Sequence, residues 1–159
     1  MDRPVFRSVD KYQIHGYREY IRNHPQSPMP SDGYVIQDLD MMILGFGPRF
    51  KTDRKGRFIE IELKFGNKAL TFGQISAFGL RDVLMRKGDP EGKHYQGFYI
   101  VNYDNDDWSL ANFKVNGVSV SRATFDKFLL LELDAPGLPK ALDFNAELKR
   151  WMEQKWPKK

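Results

Sequence analysis

Within "GRFIEIELKFG", residues 56 to 66, apolar and charged positions alternate one for one from Ile59 to Phe65. Side chains of an extended strand point to opposite faces with period two, so Ile59, Ile61 and Leu63 share one face and Glu60, Glu62 and Lys64 the other. The pattern predicts a strand with three charges on one side. Upstream, "YVIQDLDMMILGF" (34 to 46) is a second β-rich run, and "GPRFKTDRKG" between the two has turn composition, so together they predict a hairpin. Residues 8 to 24 carry apolar or aromatic side chains at 9, 12, 14, 17, 20 and 21, which predicts a helix, and the Pro-rich "PQSPMPSDG" connects it to the hairpin. Downstream, Thr71 is followed three residues later by Gln74, the capping-box signature, and a helical pattern runs from there to Gly88. "GFYIVNY" (97 to 103) has the composition of a buried strand, and Asn116-Gly117 between alternating apolar positions predicts a two-residue hairpin turn. "SRATFDKFLLLEL" (121 to 133) and "LDFNAELKRWMEQKW" (142 to 156) are expected to be helices, separated by "DAPGLPK".

Composition narrows the class. The 159 residues are 41% hydrophobic and 14% aromatic, enough for one domain with its own core and too aromatic for a disordered chain. No window approaches the roughly 20 apolar residues of a membrane span. "MDRPVFRSVDKYQ" lacks the apolar core of a signal peptide, so an intracellular, cytoplasmic protein is expected. Without Cys there are no disulfides or thiolate metal sites, and His15, His24 and His94 stand at no ligand or triad spacing. A metal here would be a hard cation on oxygen ligands. The formal charge of +4 and pI near 9.2 are compatible with a polyanionic partner.

Candidate chemistry centres on Glu-x-Lys, which occurs four times, at Glu62, Glu91, Glu147 and Glu153. The last two fall in an expected helix, where residues two apart do not face each other, and the Glu91 copy falls in a turn. Only Glu62 and Lys64 should point the same way from a strand. If the hairpin loop is symmetric about Lys51, residues i and 102 − i face each other, which sets Asp40 opposite Glu62 and Asp38 opposite Lys64. Two carboxylates at that spacing repel unless a cation lies between them. Mg²⁺ accepts one or two carboxylates plus waters and a phosphate oxygen, and a nearby lysine can orient a water or neutralise developing charge. Such equipment suits phosphodiester hydrolysis.

An acid entering one strand, a turn, hydrophobic-Glu-hydrophobic-Lys on the next strand, and a helix bearing Gln together resemble the PD-(D/E)XK nuclease superfamily, over roughly residues 10 to 103. The resemblance implies an α/β fold, a restriction-endonuclease-like mixed central β-sheet flanked by helices, within a single domain spanning 1–159 and extended by residues 108 to 156. It implies Asp40 and Glu62 as ligands of Mg²⁺ or Mn²⁺ with the Leu63 carbonyl, Lys64 as the catalytic lysine, Gln74 as the helix Gln and Glu19 as the first-helix acid. No Pro precedes Asp40, and Asp38 competes for its role. The run "NKALTFGQISAF", with Leu70, Thr71 and Gln74, is similar to the virus-type replication-repair nuclease module, and the basic layout to archaeal-type and phage Holliday-junction resolvases. Those relatives imply a homodimer acting on branched DNA, a four-way junction, with a phage origin among the options. A nuclease with another DNA target, such as a restriction enzyme or exonuclease, and a non-catalytic nucleic-acid-binding module on the same core are the alternatives.

Each candidate also has a plainer reading. The charged strand face could be solvated, with Asp38 and Lys64 as a cross-strand ion pair; Gln74 could only cap its helix; Glu19 could be a surface charge. Arg49, Lys51, Arg54, Lys55 and Arg57, with Lys68, are candidates for phosphate contact or mere solubility. Asp104, Asp106 and Asp107 have the look of turn residues, and Trp151 and Trp156 of core or dimer contacts.

Overall fold

A computed structural model describes residues 39–45, 47–50 and 56–156. The expected helix at 8 to 24 with Glu19, the strand start with Asp38, and the turn cations Lys51, Arg54 and Lys55 lie outside the described residues, as does the Arg49 side chain. The described chain runs β1 (Met41–Gly45), a 3-10 turn (Pro48–Phe50), β2 (Arg57–Phe65), α1 (Phe72–Gly88), β3 (Tyr95–Tyr103), β4 (Phe113–Val115), β5 (Val118–Val120), α2 (Arg122–Leu129) and α3 (Phe144–Lys155). Its five strands form one open sheet in sequence order, parallel between β2 and β3 and antiparallel elsewhere. The fold is α/β, a mixed sheet flanked by helices. Among the described residues no helix is long and apolar enough to cross a membrane.

The hairpin pairs as its sequence symmetry predicts. Met41 faces Ile61, Ile43 faces Ile59 and Gly45 faces Arg57, so the 102 − i relation holds along all of β1. β1 begins at Met41, after a bend at Asp40. From β2 the chain passes through α1 to the parallel strand β3, the crossover that parallel neighbours require.

Strand parity sorts the core into two halves. The face of Ile59 and Ile61 packs with Tyr99, Val101, Phe113 and Val115 against Phe125 and Phe128 of α2. Phe113 and Phe125 stack with centroids 3.7 Å apart. On the other face, Phe98 and Ile100 meet Ile75 and Phe78 of α1 and Phe144 of α3. Because helices cover both faces, β2 is buried on both sides and Glu60 is 0% exposed.

Register shifts by one residue between β2 and β3, from Phe58–Tyr95 to Glu60–Phe98. The extra residue lies beside Gly97, whose φ is +114°. This bulge resets the alternation, so that Tyr95 reaches Asp82 on α1 while Phe98, three residues on, packs on Phe78 of the same helix. A Cβ at Gly97 would collide with the Ala141 side chain in a backbone conformation that L residues avoid. Gly97→Ala is therefore expected to cost about 2 kcal/mol, read as a lower urea midpoint with an unchanged m-value.

The helix expected to run to Leu133 stops at Leu129. Leu131 takes a left-handed conformation with φ 62°. Its N–H bonds Phe128 O and the Glu132 N–H bonds Lys127 O, a Schellman closure made without glycine. The Asn116-Gly117 turn has positive φ at both residues, 47° and 80°, as a two-residue hairpin of this kind requires.

Candidate active site

The charged side of β2 is not a solvated face. Glu60 and Glu62 are buried under α1, and the sequence period alone could not show which face the helix would cover. Glu60 is held by Arg81, whose Nε and Nη2 reach Oε1 at 2.7 and 2.6 Å. Two residues along, Glu62 meets a different set of partners. Its Oε1 accepts from Gln74 Nε2 at 2.6 Å and lies 3.0 Å from Lys64 Nζ. The Lys64 ammonium also donates to Gln74 Oε1 at 2.9 Å, closing a triangle.

Gln74 reaches this position because of how α1 begins. Thr71 is the N-cap, its hydroxyl accepting from the Gln74 N–H, while Gln74 Oε1 accepts from the Thr71 N–H at 3.1 Å. The capping box thus pins the amide, with oxygen toward the donors Lys64 and Thr71 and nitrogen toward the carboxylate. Capping and site contact are one arrangement, not alternatives.

Asp40 joins from the mouth of β1. Its Oδ2 accepts the Leu63 N–H at 2.9 Å, taking the place of a ladder carbonyl just where the strand pairing ends. N–H and C=O of one strand residue project toward the same neighbour, so the Leu63 carbonyl lies on the Asp40 side of β2. Asp40, Glu62, Leu63, Lys64 and Gln74 are therefore brought together.

The electrostatics are unbalanced in a specific way. Burial pushes the Glu62 carboxyl above the usual carboxylate range, the hydrogen bond from Lys64 opposes this, and the nearby Asp40 charge adds to the rise. Glu62 Oε2 is buried and has no hydrogen-bond partner among the described residues. An orphaned carboxylate oxygen, a second carboxylate and a backbone carbonyl form a hard-oxygen set that fits a Mg²⁺-type cation. Among the described residues no three His, Cys, Asp or Glu side chains cluster, so the remaining ligands would be waters or substrate oxygens.

Other candidates fall elsewhere. Arg57 has the parity of Ile59, not of Glu62, and its guanidinium donates to Leu131 O at 2.7 Å on the α2 side of the sheet. Its position supports the α2 exit, on the face of the sheet opposite Glu62. Lys68 is exposed on the loop between β2 and α1. Asp104 and Asp107 are turn residues, accepting from Asn112 and Ser109. Trp151 packs on Phe72 at 4.8 Å and, with Leu148, joins the core, whereas Trp156 is exposed. Two residues that the sequence reading passed over matter here, Arg81 and Asn102. Arg81 lies seven residues after Gln74 on the same stripe of α1, a spacing that helical period could have flagged. The chain matches no protein-family model, curated protein or solved structure.

Proposed function

We propose that the chain is a Mg²⁺- or Mn²⁺-dependent DNA endonuclease, and more narrowly a homodimeric resolvase of four-way junctions. The observation that carries the reading is the unpartnered buried oxygen of Glu62 beside Asp40, the other Glu62 oxygen being held by Gln74 and Lys64. The order hairpin, crossover helix, parallel strand also agrees with the layout expected for a PD-(D/E)XK core.

Asp40, Glu62 and the Leu63 carbonyl would hold the cation. When bound, such an ion supplies Lewis-acid polarisation of a phosphoryl oxygen and an acidified water. Gln74 fixes the Glu62 rotamer through Oε1 and leaves Oε2 free for its ligand. Lys64, largely buried with its side chain 15% exposed, holds a positive charge beside that oxygen set, where it stabilises the extra negative charge of a pentacovalent phosphate.

Divalent ions test the ligand set without DNA. Millimolar Mg²⁺ or Mn²⁺ is expected to stabilise the wild type, by about 2.7 kcal/mol at a hundredfold excess over Kd, read as a raised unfolding midpoint, and to leave Asp40→Asn unmoved. No shift for the wild type would remove the metal site. The resolvase reading further expects light scattering to report twice the 18.6 kDa chain mass at micromolar concentration. Met152 on α3 and Trp156 at its C-cap are exposed and are apolar material for such a contact.

A further inference from the structure

A polar row continues from the site across the sheet. Lys64 pairs with Asn102 on β3, Asn102 with Lys114 on β4, and Lys114 with Ser119 on β5. Paired strand residues share a face, and strands lie roughly 4.8 Å apart, so Lys114 stands roughly 10 Å from Lys64 along one line. In duplex terms that is about three base-pair rises of 3.4 Å.

The middle of the row is rigid. Asn102 is buried, and its Nδ2 donates to the carbonyls of Gly66 and Lys68, both at 2.9 Å. The Gly66 N–H is tied to Tyr103 O at 2.8 Å. This fastens residues 66 to 68 against β3 and presents Asn67 and Lys68 outward, both exposed. Lys114 Nζ then donates to Asn67 Oδ1 at 2.9 Å. Among the described residues no carboxylate lies within ion-pair distance of Lys68 or Lys114. The nearest acid in the cleft, Asp104, is occupied with the Asn112 N–H and amide. The cleft, about 430 Å³, is walled by Gly66, Asn67, Asn102, Lys114 and Ser119.

The geometry points to a phosphate subsite formed by Asn67 and Lys114, with the exposed Lys68 next to Asn67 in the chain and Asn102 as the positioning residue, that binds a non-scissile phosphodiester of the nucleic-acid strand entering the site. Two ammonium groups without carboxylate partners and a neutral amide suit the non-bridging oxygens of a backbone phosphate, and none of them reads a base. The subsite rests on the nuclease reading for the polarity of the strand, from Lys64 toward β5 and away from β1, but not for its affinity.

Anisotropy of a labelled duplex and a labelled four-way junction, across a salt series in chelator, measures binding without cleavage. Lys68→Gln with Lys114→Gln is expected to weaken both complexes several-fold and to reduce the slope of log K against log salt by roughly 0.9. Lys127→Gln, an exposed change on α2 at the opposite face, should leave the slope alone. An unchanged slope and affinity in the double variant would overturn the subsite. If the wild type binds with this dependence but never cuts when Mg²⁺ is added, the subsite stands and the nuclease reading falls. If it cuts while the double variant binds as wild type, only the subsite falls.

Discussion

Glu62→Gln is expected to lower DNA cleavage by roughly 10³-fold or more while binding stays at wild-type strength or tightens. The amide keeps the shape of the side chain but removes the negative oxygen that has no partner in the fold, so the loss falls on the ligand set and not on packing. Removing a negative charge near the DNA backbone favours binding. The same variant is expected to unfold at a temperature no lower than the wild type. In the folded state the Glu62 carboxyl holds its proton more tightly than in the unfolded chain, so a cost appears as pH rises past the ordinary carboxylate range. Glutamine does not incur it. Single-turnover cleavage, filter binding and thermal unfolding read the three effects, and wild-type turnover by the variant would end the catalytic assignment.

Arg81→Ala is expected to have the opposite profile, losing about 3 kcal/mol of stability, the lower end for a broken buried pair because the guanidinium half is partly solvated. It strands the Glu60 carboxylate, which is fully buried and already has one oxygen without a partner. Combining Arg81→Ala with Glu60→Leu should recover most of that loss, since no buried charge remains. Glu60→Gln is expected to keep cleavage within a few-fold of wild type, although it sits two residues from Glu62 on the same strand face. Urea unfolding of the single and double variants checks the first statement. A Glu60→Gln protein as inactive as Glu62→Gln would mean that the division of labour between the two acids is wrong.

Much of this arrangement was legible in the order of residues. Loop symmetry placed Asp40 against the Glu62 end of β2, and the register along β1 follows it residue for residue. The Thr71–Gln74 spacing located the start of α1, and the helical pattern after it the stop at Gly88. What could not be read was long-range. Alternation of Ile and Glu is the mark of a half-solvated strand, and only the arrival of Arg81 and Gln74, 21 and 12 residues downstream, makes burial of Glu60 and Glu62 tolerable. The bulge at Gly97 hides in a short apolar run, because its signal is a register shift against β2 and not a local preference. Leu131 ends α2 in a conformation that leucine rarely takes, so "LLLEL" offered no stop. Arg57 adjoins the turn cations in sequence, but its strand parity assigns it to the other face, where its guanidinium meets the Leu131 carbonyl.

The central claim, metal-dependent phosphodiester hydrolysis at Asp40, Glu62 and Lys64, is tested most directly by one incubation series. Wild type and Glu62→Gln are mixed with a labelled four-way junction, a matched duplex and a single strand, each with Mg²⁺ and with chelator. The account predicts strand cleavage by the wild type in Mg²⁺ alone, paired symmetric cuts on the junction ahead of the other substrates, and no product from Glu62→Gln. Cleavage that persists in chelator, or no cleavage of any DNA by the folded wild type in Mg²⁺ or Mn²⁺, would contradict it.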